Sequence, residues 1–241
     1  MTTLTKFIVA TILGLALTSC HFDMSGYGVK GNGNVQSAER TIDDNFTEIK
    51  VSRGLDVYLT QSNDVSLKIQ ADENLHDIIM TKVENNVLKI YADENISYAA
   101  SRKVMVSFTD IEKITSTSGS DVFSTGVITV DDIELTTTSG SDMEIEVEAN
   151  VVECNSTSGS DLRVSGKAEK LYAEATSGSD IKAGGLKVKT SDVRANSGAD
   201  VTVYASQELI AKASSGGDIK YYGNPEKVTK KDGVSGSIRK Q

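Results

Sequence analysis

The chain has 241 residues, with 25 basic and 34 acidic side chains, a formal net charge of −9, one proline, two cysteines and no tryptophan. This acidic balance makes nucleic acid and anionic headgroups unfavourable partners. The length is ample for one hydrophobic core.

The first segment, residues 1–19, is typical of a secretory signal peptide. Lys6 precedes an apolar run at 7–17 that is too short to span a bilayer. The letters LTSC that follow resemble the bacterial lipobox, which implies cleavage before Cys20 and a lipid on its sulfur. Each buried methylene of an acyl chain contributes roughly 0.8 kcal/mol, so we expect a membrane anchor at Cys20 and a place in the cell envelope. The alternative is an ordinary signal peptide with a chance cysteine.

Composition divides the rest of the chain into three parts. Residues 20–34 are rich in glycine and predict a tether that follows the lipidated Cys20. Residues 35–223 carry the folded domain, and 224–241 are predicted to be a C-terminal cap or tail. Cys154 has no partner for an intramolecular disulfide if Cys20 is acylated, so stability must come from the core.

A short element that reads TSGSD or a close variant recurs along the domain. Successive copies are 18 to 21 residues apart. Self-similarity at such a period indicates stacked supersecondary units. The glycines of the element are Gly119, Gly140, Gly159, Gly178, Gly198 and Gly216.

The residues around each glycine alternate in polarity. Positions at odd offsets are apolar or small, and positions at even offsets are mostly polar. This period of two predicts strands, so we expect an all-β fold, a single-chain parallel β-helix (β-solenoid) with rungs of about 19–20 residues. We expect each glycine at a bend with positive φ, and both flanking serines facing inward with their hydroxyls hydrogen-bonded along the stack.

The repeat also reaches towards the N-terminus. The letters GLDVYLT at 54–60 have the same pattern, 65 residues before Gly119, and we interpret this spacing as about three rungs. At the other end Pro225 and several lysines are suited to preventing a further strand from pairing with the last sheet edge.

Several stretches resemble a known family. They are RTIDDNFTEIKVSRGLDVYLTQ, LKIQADENL, VENNVLKIYAD and the SGSD rungs, over about residues 31–223. The chain is similar there to the family "putative auto-transporter adhesin, head GIN domain". The resemblance implies a parallel β-helix on a bacterial surface lipoprotein, and it implies no catalytic residues. One departure is the last rung, where Ile238 follows Ser237 and the aspartate is missing.

The strongest candidate site is the column of aspartates two residues after the glycines. Half of a calcium-binding nonapeptide has this G-x-D pattern, so calcium is a weak candidate ligand. A structural role in the turns is the favoured interpretation. The six aspartates of the candidate are Asp121, Asp142, Asp161, Asp180, Asp200 and Asp218.

No other pattern indicates chemistry. Cys154 falls in an inward column and is interpreted as a small hydrophobe, and His76 is an isolated histidine. The repeated serines have no histidine base beside them, so we identify no catalytic residue, no cofactor and no firm metal site.

These observations favour a noncatalytic, lipid-anchored binding module that resembles an adhesin, with a glycan or a protein as its ligand and no nucleic acid. Two alternatives remain open. One is a carbohydrate-active β-helix enzyme, a lyase or a hydrolase, and the other is a purely structural envelope scaffold.

Overall fold

The computed structural model describes residues 27–241, so the predicted signal peptide and Cys20 lie outside the described residues. Within this range there are 21 strands and one short 3-10 helix, Glu73–Leu75. The strands are β1 (Val29–Lys30), β2 (Val35–Arg40), β3 (Glu48–Ser52), β4 (Asp56–Gln61), β5 (Ser66–Asp72), β6 (Ile79–Glu84), β7 (Val87–Ala92), β8 (Ile96–Tyr98), β9 (Arg102–Phe108), β10 (Lys113–Thr117), β11 (Asp121–Thr129), β12 (Asp132–Thr138), β13 (Asp142–Thr157), β14 (Asp161–Thr176), β15 (Asp180–Lys187), β16 (Thr190–Asn196), β17 (Asp200–Tyr204), β18 (Glu208–Ser214), β19 (Asp218–Tyr222), β20 (Lys227–Asp232) and β21 (Ser237–Lys240).

Most strands belong to two parallel ladders that enclose one core. The first ladder contains, in spatial order, β7, β3, β10, β12, β13, β14, β16, β18 and β20. The second ladder contains β9, β4, β11, β13, β14, β15, β17, β19 and β21. Strands β13 and β14 belong to both ladders, because each runs on from the second ladder into the first ladder of the next rung. The expected all-β parallel solenoid is confirmed.

Alternation along each strand builds the core. In β13, Met143, Ile145 and Val147 are buried, and the glutamates between them are exposed. Because neighbouring strands pair in register, a buried residue stacks on buried residues of the rungs above and below. Cys154, for example, pairs with Leu135 and Ala173 and is fully buried with them.

Six corners between the first and the second ladder contain a Ser-Gly pair in which both residues have positive φ. For Ser158 and Gly159 the φ angles are 60° and 68°. Glycine adopts this left-handed region freely, whereas another residue pays roughly 1–2 kcal/mol. Backbone pairing continues through the corner, since the Gly140 amide donates to the Ser158 carbonyl at 3.2 Å. The same geometry recurs at Ser118–Gly119, Ser139–Gly140, Ser177–Gly178, Ser197–Gly198 and Ser215–Gly216.

Where serines flank a corner glycine on both sides, the two serines face opposite ways, so the expectation that both face inward is wrong. Ser158 is exposed and Ser160 is fully buried. The chain turns through two left-handed residues here, and the alternation of an extended strand does not carry through such a turn. Only the serine after the glycine therefore enters the core.

The inward hydroxyls hydrogen-bond with one another and with backbone carbonyls. Thr137 Oγ1 donates to Ser156 Oγ at 2.9 Å, and Ser179 Oγ donates to the Ser156 carbonyl at 2.8 Å. Within residues 27–241, every buried side-chain nitrogen or oxygen has a hydrogen-bond partner. Because these groups are paired, the fold avoids the free-energy cost of about 1–3 kcal/mol that each unpaired buried polar group would carry.

The head of the solenoid does not follow chain order, and the interpretation of the 65-residue spacing as three rungs is wrong. Strands β3 and β4 lie directly beside β10 and β11, and the Asp121 amide donates to the Leu55 carbonyl at 3.0 Å. The intervening residues fold back through the antiparallel pairs β6–β7 and β5–β9. Strands β7 and β9 then form a rung on the outer side of β3 and β4, so β3 and β4 are enclosed between two later segments.

Both ends of the domain are more ordered than composition predicts. Residues 29–30, within the predicted tether, pair with β8, and β2 pairs antiparallel with β5. At the other end, β20 and β21 of the predicted cap or tail continue the two ladders in register. Repeat signals did not reveal the N-terminal pairing because β1 and β8 lie outside the repeat.

A buried carboxylate fastens the N-terminal segment to the head. Asp72 is fully buried, and its side chain accepts hydrogen bonds from the backbone amides of Gly33, Ala100 and Ser101 at 2.9, 3.3 and 2.9 Å. Burial works to raise the pKa of Asp72, but the backbone donors outweigh it and the pKa is lowered. The ionised form is therefore the one that holds three chain segments together.

We predict that Asp72→Asn lowers the free energy of unfolding at pH 7 by about 1–3 kcal/mol, because its amide group would place donors against backbone donors. A lowered folded-state pKa stabilises the fold above the unfolded pKa of about 3.9, and this contribution is lost as the pH falls through the folded pKa. Urea titrations of wild type and variant between pH 2 and 7 measure both effects. The exposed Asp64→Asn is the control, and equal losses in the two variants would contradict the prediction.

We predict that Gly159→Ala destabilises the fold by about 1–2 kcal/mol through backbone strain alone. A Cβ there would meet no atom within 4 Å, so sterics do not contribute. Gly126 is equally open but has no positive φ, which makes Gly126→Ala the matched control. Urea unfolding should show a loss for Gly159→Ala and little change or a gain for the control. Similar values for both variants would argue against left-handed strain at the corner.

Candidate binding surface

The predicted aspartates form one continuous column on the outside of the second ladder. They pair with one another in register from strand to strand, and Asp56 of the head extends the column beyond Asp121. Ser237 takes the next position after Asp218. Neighbouring strands are about 4.8 Å apart, which brings like charges close together.

Basic side chains neutralise part of this column. Lys182 Nζ lies 3.0 Å from Asp161 Oδ2 and 3.4 Å from Asp180 Oδ2, and the hydrogen bond to Asp161 is the main reason that the pKa of Lys182 is raised. Arg102 Nε lies 3.8 Å from Asp56 Oδ1. Basic side chains therefore contact the middle of the calcium candidate and Asp56, which precedes it.

Asp121 experiences the least favourable environment for a charge. Its pKa is raised, first by burial and then by the carboxylates of Asp56 and Asp142 on either side. Across residues 27–241, no group of three or more histidine, cysteine, aspartate or glutamate side chains is arranged to hold a metal ion. The structural role of the column stays a prediction, with calcium as the weaker candidate.

The two isolated candidates lie in different settings. Cys154 is in the core, where burial and, second, Glu153 raise the pKa of its thiol, so the unreactive protonated form is favoured. His76 Nε2 lies 3.3 Å from the Gln36 carbonyl, close to the head.

The outer face of the first ladder carries a depression of about 250 Å³ around Tyr172. Tyr172 is 46% exposed, and the register places Glu153 on one side of Tyr172 and Asp192 on the other. Asn155, Glu174 and Arg194 complete the polar lining. Leu171 and Ala173, the sequence neighbours of Tyr172, are buried, so strand alternation directs the ring outwards.

Internal contacts organise these polar groups. Asn155 Nδ2 donates to Glu153 Oε1 at 3.2 Å, and Arg194 lies 3.6 Å from Glu174 Oε2. The depression, which we call the Tyr172 site, thus presents three carboxylates, one guanidinium and one amide beside an aromatic face.

A larger depression of about 780 Å³ lies where the chain passes from the second ladder back to the first. Lys113 Nζ contacts Glu134 at its rim at 2.8 Å. The depression shares Glu153 with the Tyr172 site, so the two form one negatively charged surface. Its carboxylates are Asp110, Glu112, Asp131, Asp132, Glu134 and Glu153.

Several aromatic residues of the second ladder contact one another or a lysine, whereas Tyr222 is 43% exposed. Tyr58 stacks on Phe123 with ring centroids 5.4 Å apart, and Lys103 lies 5.5 Å from the Tyr58 ring centroid. Lys187 lies 4.0 Å from the ring centroid of Tyr204. These contacts distinguish Tyr58, Phe123 and Tyr204 from Tyr172, whose ring has no stacked partner in the part of the chain that the structure describes.

Sequence reasoning missed the Tyr172 site, although a signal was present. Tyr172 stands six residues before Gly178, an outward offset that is charged in the preceding rungs, as at Lys113, Glu134 and Glu153. An aromatic residue at an outward offset breaks this pattern of charged residues and indicates a candidate contact surface.

We predict that Asp121→Asn stabilises the protein at neutral pH by up to about 1 kcal/mol, the repulsion of two unit charges 4.8 Å apart in water. A raised folded-state pKa means that ionisation costs more in the folded state, so the gain appears above the unfolded pKa of about 3.9 and vanishes below it. Thermal unfolding at pH 3 and pH 7 provides the measurement.

Asp161→Asn is the matched control, because it removes an ion pair with Lys182 rather than a repulsion. It should give no gain at pH 7. A wild-type stabilisation of several degrees by calcium chloride that disappears in Asp121→Asn would contradict the structural interpretation of the column.

Comparison with known proteins places the chain in a family. Solved structures with the same fold include a "putative adhesin" from Bacteroides fragilis (20% identity, TM-score 0.82, covering 89% of this chain and 100% of that chain). A "putative lipid binding protein" from Parabacteroides distasonis is similar at 23% identity (TM-score 0.73, 88% and 99% covered). A "putative adhesin" from Parabacteroides merdae is similar at 20% identity (TM-score 0.71, 88% and 98% covered).

None of the curated proteins matches the chain. In residues 27–241 we find no helix with the length and apolar character that crossing a membrane requires. Residues 45–225 match the family described as "putative auto-transporter adhesin, head GIN domain". Since this match extends over most of the chain and the fold agrees, the protein belongs to the auto-transporter adhesin head GIN domain family.

Proposed function

We propose that the protein is a noncatalytic, lipid-anchored binding module of the bacterial cell envelope that acts in the manner of an adhesin. The family description supports an adhesin-like role. The single observation that carries the proposal is the rigid outer face of the first ladder, where in-register pairing holds exposed polar and aromatic side chains in fixed columns.

Such a surface is suited to binding. Side chains on paired strands are held in place before a partner arrives, so less conformational entropy is lost on association than with a flexible loop. The core beneath is continuous and fully satisfied, so outward residues can vary without loss of the fold.

The proposed anchor agrees with the placement of the N-terminal segment. Only residues 21–26 separate Cys20 from the described part, and a fully extended chain spans at most about 3.6 Å per residue. Residues 29–30 pair beside the head, so an anchor on Cys20 would hold the head near the membrane and direct β20 and β21 away from it. The face of the first ladder would then stand alongside this axis, open to a partner.

The test is protease treatment of intact cells that express the protein, with a periplasmic protein as internal control. We expect the wild-type domain to be digested while the periplasmic control survives. Cys20→Ser should lose incorporation of labelled palmitate and leave the membrane fraction.

Protection in intact cells, with digestion only after outer-membrane permeabilisation, would overturn the adhesin role and favour the scaffold. Unchanged membrane attachment of Cys20→Ser would overturn the lipid anchor independently of the binding role.

A further inference from the structure

The geometry points to the Tyr172 site as a binding site for a neutral sugar, most simply one pyranose ring of a longer glycan. This inference rests on the proposed function, because it assigns a ligand class to the surface that the function uses. Three features of the site lead to it.

The first feature is an aromatic face that the fold does not use. Tyr172 contributes nothing to the core, since the inward positions beside it belong to Leu171 and Ala173. Tyr172 is 46% exposed and lies on a strand that is paired on both sides. An apolar face with a polar edge matches a pyranose, which has an apolar C–H face and a rim of hydroxyls.

The second feature is a mixture of acceptors and donors around that ring. Glu153, Asp192 and Glu174 offer carboxylate oxygens, while Arg194 and Asn155 offer N–H groups. Each sugar hydroxyl donates one hydrogen bond and accepts others, so it makes use of both kinds of group. A simple cation needs only acceptors, and the Arg194 guanidinium would repel it.

The third feature is charge and size. Three carboxylates and one guanidinium give the lining a formal charge of −2, which disfavours acidic sugars such as uronic acids. The volume of about 250 Å³ is near the lower end of small-molecule pockets, about 300 Å³, and leaves space for a single ring. A neutral sugar is therefore the class that fits.

The site is open along the ladder, so a glycan could continue past one ring. Asp192 is followed in its column by Ile210, which is 40% exposed, and Glu153 is preceded by Glu134. A glycan that followed this column would contact Ile210 towards the C-terminal end of the solenoid and carboxylates towards the head.

The experiment uses the full-length protein in a detergent without a sugar headgroup. The neutral probes are maltotetraose, cellotetraose, mannotetraose and the tetramer of N-acetylglucosamine. Tetragalacturonate is the acidic probe and tetralysine the cationic one. Saturation-transfer NMR detects contact, and calorimetry gives the dissociation constant, which we expect near 1 mM for at least one neutral probe.

Three variants locate the contact. Tyr172→Ala should weaken binding of that probe about ten-fold, Tyr172→Phe should retain it because stacking needs only the ring, and Asp192→Asn should weaken it. The control is Tyr222→Ala, which removes a tyrosine of similar exposure, 43%, on the second ladder and should leave binding unchanged. Unfolding curves of each variant confirm that the fold is retained.

Binding of no neutral probe would overturn the inference, as would equal effects of Tyr172→Ala and Tyr222→Ala. If tetralysine bound instead and Tyr172→Ala abolished that binding, the ligand would be a cationic peptide and the proposed binding role would stand. Release of new reducing ends from a bound probe would overturn the noncatalytic role while retaining the sugar site. The cell-surface test is independent of all these results.

Discussion

The structure depends on the in-register pairing of one rung with the next. At the repeated corners two successive left-handed residues, such as Ser158 and Gly159, turn the chain without interrupting this pairing, and corner amides donate hydrogen bonds to corner carbonyls of the adjacent rung. Any shift of one residue would exchange the inward and outward faces of a whole strand. The corners therefore fix the phase of the alternation, and with it the identity of every core residue.

The regular part of this arrangement could be predicted from sequence because it depends on local periodicity. The spacing of the glycines sets the rung, and the parity of Val122, Met143 or Leu162 sets the inward face. Two features could not be predicted this way. The orientation of Ser158 follows from turn dihedrals rather than from strand parity. The insertion of β3 and β4 between later segments follows from antiparallel reversals at β5 and β6 that lack the repeat.

Surface features also divide into those that follow from the repeat and those that do not. The aspartate column follows directly from the repeat, because each member occupies the same offset. Asp72 and Tyr172 each occur once, at positions where the repeat has no equivalent residue. The repeat pattern therefore does not predict them. Asp72 acts through backbone donors that come from residues 33, 100 and 101, which are distant in the chain. Tyr172 gains its polar neighbours from the two adjacent rungs, so its setting exists only once the register is known.

The charged residues outside the core contribute little to the stability of the fold. Most ion pairs join residues at the same position of two neighbouring rungs. Examples are Arg163 with Glu144 at 3.0 Å and Lys227 with Glu208 at 2.6 Å, and most of the paired side chains are well exposed. Exposed pairs contribute only about 0–1 kcal/mol each, so the fold tolerates their replacement. The acidic surface that runs from the larger depression to the Tyr172 site can therefore change in sequence without loss of the fold, whereas the buried serines, alanines and valines beneath it cannot.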